Sequence, residues 1–410
     1  MSDMSLSDEL QWRGLIKDKT FASEDWLNKP GIFYLGIDAS ADSLTVGNLA
    51  ILMLARRLVA AGWKAFFVMG GGTSLVGDPG GKNEERALMS RKTVENNIEG
   101  VRAQVTKLFK GNDYNLVDNY EWLSKLKYVD FLREVGKHFS MTELMQRDFV
   151  VERMGQGGMG ISYAEFSYSL VQGYDFWHLF NKHKVVMQIG GSDQWGNLLS
   201  GVSLIRKKEA KEAHALSMPL IVNKATGQKF GKTEGGAVWL DAKKTSPYKF
   251  YQFWLNVDDE SVKEYLKYFT LLSIPDTEAL FQKFDKDRSS RLAQKTLAYE
   301  VTQLVHGQER ADTVQKASEV LFGQGNFLDL GDKETEVLAA ELPTVATAND
   351  FYDTVVLAGL AGSKSEARNF HASGAISVNG EKLAPGQEII FRNGTNLLKR
   401  GKNSFAIVKK

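Results

Sequence analysis

The sequence predicts an α/β protein in several parts: a parallel-sheet domain first, a helical domain next and a small α+β module last. Three observations lead there. In the first half, short apolar runs ending in glycine alternate with helical apolar spacing. Long amphipathic patterns then follow one another with no glycine between Thr245 and His306. From Phe351 to Lys410 the pattern becomes two short helices followed by strands. At 410 residues, the chain is too long for one ordinary core and long enough for two or three domains.

Taken in order, residues 31 to 37 (Gly-Ile-Phe-Tyr-Leu-Gly-Ile) read as a buried strand. Ser43 to Ala61 reads as a helix through Leu49, Leu52, Leu54 and Leu58, and Lys64 to Met69 as a second buried strand entering Gly70-Gly71-Gly72. Val185 to Ile189 is a third strand, expected to leave Gly190-Gly191-Ser192-Asp193 as a loop at its C-terminal end, where ligands of open α/β sheets collect. The expected boundaries are 1–245 for the sheet domain, 246–325 for the helical domain, 326–347 for an acidic linker and 348–410 for the last module, with Asn379-Gly380 as a hairpin turn.

Composition excludes several function classes. Hydrophobic content of 43% and charged content of 25% suit a globular protein. With no cysteine, disulfides, thiolate metal sites and a cysteine nucleophile are ruled out. The first seventeen residues lack a basic start followed by an apolar run, and no stretch reaches the roughly 18 to 20 apolar residues of a membrane helix, so the expected location is cytoplasmic. A net charge of +1 gives no global case for nucleic acid, yet residues 351 to 410 hold nine Lys/Arg against four Asp/Glu, a compact basic module of the kind RNA accepts.

Two loops and one helix carry chemistry. Lys229-Phe230-Gly231-Lys232-Thr233-Glu234-Gly235-Gly236 places two lysines three apart among glycines, a mobile clamp for polyphosphate. Gly72 and Gly77 have the spacing of a phosphate-binding P-loop, but Asp78-Pro79 stand where lysine and Ser/Thr belong, and a carboxylate there suits an ammonium group instead. Lys82 and Arg86 lie further on, within reach of a leaving pyrophosphate. Tyr168, Gln172 and Asp175 fall at i, i+4 and i+7 in an aromatic segment and share one helical face, a set able to hold an amino acid.

Together these pieces resemble the class I aminoacyl-tRNA synthetases, and within them the bacterial-type tyrosyl enzymes. The matching segments are Tyr34 to Leu44, Gly77-Asp78-Pro79, Phe166 to Asp175, Gln188 to Asn197, Lys229 to Thr233, and Val238 through Trp254, collinear over essentially the whole chain. The resemblance implies a Rossmann-like catalytic domain, an all-helical anticodon-binding domain and an S4-like RNA-binding domain. It implies that Tyr34 and Asp175 bond a substrate phenol, that Asp78, Tyr168 and Gln172 hold its α-amino group, and that Gln188 completes the tyrosine pocket. Gly36, Asp38, Gly47, Asn48, Gly191, Asp193 and Gln194 would line the adenylate site, with Asp193 at the ribose and Gln194 near the reacting carboxylate. Lys82, Arg86, Lys229 and Lys232 would gather round pyrophosphate. Ser363, Lys364 and Arg368 would face RNA. ATP with Mg²⁺, L-tyrosine and tRNA are the implied substrates, with no tightly bound cofactor or metal site. A homodimer through the apolar segment Tyr128 to Phe139 is implied as well.

The chain departs from the family in the H-I-G-H tetrapeptide, which here reads Thr45-Val46-Gly47-Asn48; its six histidines all lie elsewhere. Ser40 stands where the family usually has threonine, and Leu35 where many relatives have cysteine. Asn48 can offer an amide N–H in place of a ring nitrogen, whereas Thr45 is shorter and neutral. The alternative reading is therefore a synthetase-derived RNA-binding protein with lost or weak adenylation. Each lost charge-assisted hydrogen bond is worth roughly 1.5 to 3 kcal/mol, so Thr45→His is expected to speed activation, measured as ATP–pyrophosphate exchange; an unchanged or lower rate would refute that explanation.

Overall fold

The computed structural model describes residues 4–78, 88–155, 160–222, 230–233, 236–323, 325–384, 387 and 391–410, with only the backbone of Asp148, Phe149, Glu152, Lys232 and Thr233. The chain forms two compact units: Met1–Lys244 with Asp258–Ala293, and Thr245–Val257 with Gln294–Lys410.

The first unit is built on a six-stranded sheet of β1 (Asp18–Lys19), β2 (Ile32–Ile37), β3 (Lys64–Met69), β4 (Tyr114–Asp118), β5 (Met187–Gly191) and β6 (His214–Met218), in the order β1-β6-β5-β2-β3-β4. All pairs are parallel except β1 with β6. After β2 the chain adds β3 and β4 on one side, then returns to place β5 on the other. The C-terminal ends of β2 and β5 thus flank a topological switch point, where open α/β sheets bind ligands. Register sets Tyr34 beside both Gln188 and Phe66. The apolar run of β2 is buried as expected. β5 extends beyond the expected strand, because Gly190 and Gly191 pair with Ser217 and Met218; the turn begins only at Ser192.

The predicted 43–61 helix runs Val46–Ala60. It starts late because Asn48 Oδ1 accepts from both the Thr45 backbone N–H (3.0 Å) and its hydroxyl (2.9 Å), which fixes Thr45 as the cap. The helix Tyr163–His183 opens on a capping box between Ser162 and Glu165. Glu165 also forms a buried ion pair with Arg153 at 3.1 Å. A short two-stranded ribbon, β7 (Lys232–Thr233) and β8 (Gly236–Ala237), completes this part.

The helices of the 246–325 span divide between the units. Val262–Phe269 and Ile274–Lys286 fall in the first unit because buried guanidiniums hold the chain between them. Arg13 donates to the carbonyls of Lys267 (3.0 Å) and Leu272 (2.8 Å), and Arg57 to that of Thr270 (2.6 Å). Burial lowers the Arg57 pKa to about 9.

In the second unit, the helices Pro247–Leu255, Gln308–Phe322 and Asp332–Glu341 pack with Ala317, Leu321 and Leu338 buried. A five-stranded sheet follows, made of β9 (Thr344–Ala346), β10 (Ile376–Val378), β11 (Glu381–Lys382), β12 (Thr395–Arg400) and β13 (Ser404–Lys409). Asn379 and Gly380, with φ of 52° and 91°, make the predicted hairpin turn between β10 and β11. Residues 326–347, read from their acidity as a linker, carry the Asp332–Glu341 helix and β9. β9 pairs in parallel with β13, a long-range contact that composition does not encode.

The helices Tyr163–His183 and Trp195–Glu209 bring site residues together by close approach. A Cβ on Gly201 would lie 2.7 Å from Phe176, and one on Gly173 would lie 3.3 Å from the Ser200 backbone. Gly201→Val is expected to lower stability by about 1 to 3 kcal/mol through overpacking, read as a reduced Tm; an unchanged Tm would show that the helices can part without loss.

Candidate active site

A cavity of about 410 Å³ opens at the switch point between β2 and β5. Tyr34, Gly36, Asp38, Ser40, Thr45, Gly47, Asn48, Asp78, Tyr168, Gln172, Asp175, Gln188, Gly191, Asp193 and Gln194 all line it, so the structure unites residues predicted from five separate segments. Of the remaining candidates, Lys82, Arg86 and Lys229 lie outside the described residues, as does the Lys232 side chain.

One hydrogen-bonded chain runs along the cavity. The Tyr168 hydroxyl donates to Asp38 Oδ2 (2.8 Å), and Thr73 Oγ1 donates to Asp38 Oδ1 (2.7 Å). Asn119 Nδ2 donates to Thr73 Oγ1 (3.1 Å) and to Asp175 Oδ2 (2.9 Å), while the Trp122 indole N–H donates to Asp175 Oδ1 (2.7 Å). Asn119 is itself fixed by the Gly72 N–H, which donates to its Oδ1 at 2.7 Å. Here Gly70-Gly71 finds its explanation. A side chain on Gly70 would run into Asp38, and one on Gly71 into Asp118, so these glycines admit carboxylates rather than phosphates.

At one end of the cavity, Tyr34 Oη and Gln188 Oε1 are buried without a hydrogen-bond partner among the described residues. Burial raises the Tyr34 and Tyr168 pKa values well above that of a free phenol, with Asp175 adding to the first and Asp38 to the second. Burial likewise pushes Asp175 up to about 7; donation from Trp122 and Asn119 opposes this, while Asp38 and Asp118 add to it. Further along, Gln194 Nε2 donates to Asp78 Oδ2 (2.7 Å), and Asn197 Nδ2 donates to Gln194 Oε1 (3.0 Å).

The other end joins distant segments. Val46 N–H donates to the carbonyl of Val238 (3.0 Å), and Leu240 N–H to that of Leu44 (2.8 Å). Phe230 is buried against Tyr265 and Phe269, with ring centroids at 4.5 and 5.4 Å. Gly231, with φ of 88°, lies against Val46 and Gly47, where a Cβ would be 2.6 Å from Val46 Cγ2. Phe230 and Gly231 are therefore held against the start of the Val46–Ala60 helix and its neighbours. Asn48, with Oδ1 taken by Thr45, has only its N–H donors left for a ligand.

The cavity thus has polar atoms without partners among the described residues at the Tyr34 end and the N-terminus of the Val46–Ala60 helix at the other. The family tRNA synthetases class I (W and Y) matches residues 27–323. The Tyrosine–tRNA ligase of Lactococcus lactis subsp. cremoris (strain SK11) is 41% identical over 97% of this chain and 98% of its own length. The chain belongs to the class I tyrosyl-tRNA synthetases. The Tyrosine–tRNA ligase of Streptococcus mutans serotype c is 42% identical over 99% of this chain and all of its own. Among solved structures, a C-terminally truncated mitochondrial tyrosyl-tRNA synthetase from Aspergillus nidulans superposes with a TM-score of 0.70 at 31% identity, covering 78% of this chain and 94% of its own. The fold is thus the Rossmann-like one of class I tyrosyl-tRNA synthetases.

Sequence reasoning missed Thr73, Asn119, Trp122 and Asn197. The first three sit just beyond the C-terminal ends of β3 and β4, and recognising Tyr114–Asp118 as a strand would have pointed to Asn119. Within the second unit, Ser363 caps the Lys364–Ala372 helix, Lys364 pairs with Asp350 (3.0 Å) and Asp353 (2.7 Å), and Arg368 lies over the Tyr352 ring at 5.3 Å.

Because Asp175 holds its proton more tightly when folded, it stabilises the fold at low pH, and that contribution fades as pH rises from the ordinary aspartate value of 3.8 through about 7. Fully expressed, the shift is worth on the order of 4 kcal/mol. Tm measured between pH 4 and 8 is expected to fall more steeply for the wild type than for Asp175→Asn; parallel profiles would contradict this.

Proposed function

We propose that the chain works as a tyrosine–tRNA ligase, joining L-tyrosine to ATP as tyrosyl-adenylate and then to the 3′-terminal adenosine of tRNA. The observation that carries this is the pair of buried, unpartnered polar atoms, Tyr34 Oη and Gln188 Oε1, on adjacent strands of the cavity that also holds Asp175. A substrate phenol supplies partners there, and phenylalanine would leave the site's polar groups unsatisfied. Tyrosyl-tRNA synthetase is the standard illustration of that asymmetry.

In the first step, a tyrosine carboxylate oxygen attacks the α-phosphorus of ATP. The new O–P bond forms as the bond to the bridging oxygen breaks, and pyrophosphate leaves with the electron pair. The nucleophile is already ionised, so no general base is required, and the protein's work is positioning and electrostatic stabilisation. Asp78, Tyr168 and Gln172 are assigned to the α-ammonium, Asp193 to the ribose, and Gln194 to the reacting carboxylate. Thr45, Ser40 and Asn48 face the phosphates. Lys82, Arg86, Lys229 and Lys232 are assigned to pyrophosphate on the family resemblance, and Mg²⁺ arrives with ATP. In the second step, the adenosine hydroxyl attacks the acyl carbon and AMP departs.

The partners follow from the same reading. Exposed Tyr128, Val129 and Leu132 support a homodimer through Tyr128 to Phe139, since exposed apolar side chains grouped along one segment suit an interface. The C-terminal module is assigned to RNA through Ser363, Lys364 and Arg368, with Lys364 exchanging its aspartates for phosphate. A cytoplasmic place is part of the proposal; none of the described helices is long and apolar enough to cross a membrane.

ATP–pyrophosphate exchange is expected with tyrosine and not with phenylalanine or tryptophan. Tyr34→Phe should lower kcat/KM for tyrosine roughly two- to tenfold, the worth of one neutral hydrogen bond. Tyrosine binding without exchange would favour the RNA-binding derivative instead.

A further inference from the structure

The Tyr163–His183 helix grips Trp122 twice. Asp175 Oδ1 takes the indole N–H at 2.7 Å. Three residues on, His178 lays its ring on the indole face, with centroids 4.7 Å apart and planes 15° from parallel. Residues at i and i+3 share a helix face, so one helix holds both the edge and the face of a single indole. Trp122 itself belongs to a helix of only four residues, Tyr120–Leu123, too short to be stable alone. Its orientation therefore depends on side-chain contacts. Tyr174 backs His178 at 6.1 Å, and the apolar cluster of Tyr34, Phe66, Phe176 and Leu179 packs around Trp122. Burial, followed by the charges of His183 and Lys182, lowers the His178 pKa, which favours the neutral ring.

We infer that His178 is a positioning residue for phenol recognition: it holds the Trp122 indole so that its N–H stays on Asp175 Oδ1 and the carboxylate stays turned toward the substrate hydroxyl. A hydrogen bond weakens steeply as its angle opens, so an indole free to tilt releases Asp175 to rotate. Asn119, the other donor to Asp175, cannot substitute, since it is committed to Oδ2. The inference rests on the tyrosine-activating reading above.

The test is ATP–pyrophosphate exchange on the full chain with tyrosine and with phenylalanine, using wild type, His178→Ala, His178→Leu, His178→Phe and Trp122→Phe. Wild-type exchange with tyrosine establishes the reading on which the inference rests; its absence would remove that reading whatever the variants do. His178→Ala and His178→Leu are expected to raise KM for tyrosine roughly two- to tenfold, the range of one aromatic contact, with kcat nearly unchanged and the preference over phenylalanine reduced to match. His178→Phe, which keeps the stack, should restore KM. In the Trp122→Phe background, which lacks the N–H, His178→Leu should have less than a twofold effect. An unchanged KM in folded His178→Leu, or the same rise in both backgrounds, would overturn the inference. His178→Leu keeps the test decisive even where the alanine variant does not fold.

Discussion

The hydrogen-bonded chain from Tyr168 through Asp38, Thr73 and Asn119 to Asp175 and Trp122 is the constraint from which the rest of the cavity follows. Its two carboxylates are acceptors only, and burial makes each unmet lone pair costly. The fold answers by turning donors from beyond two strand ends, those of β3 and β4, and from the Tyr163–His183 helix onto them. That requirement accounts for Gly70 and Gly71, which let Asp38 and Asp118 reach the backbone. It also accounts for the place of the Tyr163–His183 helix, which must approach closely enough for both Tyr168 and Asp175 to join the chain. The glycine contacts at Gly173 and Gly201 make such an approach possible.

At the other end of the cavity, by Val46 and Gly47, the constraint is steric rather than electrostatic. Gly231 fits against Val46 and Gly47 only because it lacks a side chain, and Phe230 is held in an aromatic pocket by Tyr265 and Phe269. Two segments far apart in sequence thus form one wall, and the tetrapeptide that carries histidines in relatives forms its helical half. With threonine and asparagine there, the cap hydrogen bonds stay within the protein: Thr45 donates to Asn48, and Asn48 presents only donors outward. The replacement retains helix capping and, on the proposed function, changes what the phosphates meet. Rate is the property at stake, not the fold.

Much of this was legible in the sequence because its signals are periodic. Tyr168, Gln172 and Asp175 share a helical face at any tilt, and the apolar runs of β2 and β3 are buried whatever their neighbours. Asp78, singled out by its charge in the glycine loop, does line the cavity. What stayed hidden depends on pairing between distant residues. β9 looked like linker because its strand character comes from β13. The helices Val262–Phe269 and Ile274–Lys286 looked like part of a separate domain because the guanidiniums that hold them come from Arg13 and Arg57. Asn119 and Trp122 carry no periodic mark; only the sheet order brings them to Asp175.

Asp175 concentrates the conflict on which selectivity rests. Burial favours its neutral form, while Trp122 and Asn119 favour its ionised one, and the balance leaves it near neutrality rather than at either extreme. A fully solvated aspartate would be ionised but indifferent to whether a phenol arrived, because water would serve equally well. A buried one without donors would stay protonated across the physiological range. Two fixed donors fill only part of the carboxylate's acceptor capacity, and among the described residues Tyr34 Oη has no partner in the same cavity. On the proposed function, these are the hydrogen bonds that a phenol completes and a bare phenyl ring cannot. On that reading, selection for the hydroxyl is built into the folded state, beside the apolar cluster of Phe66, Phe176 and Leu179.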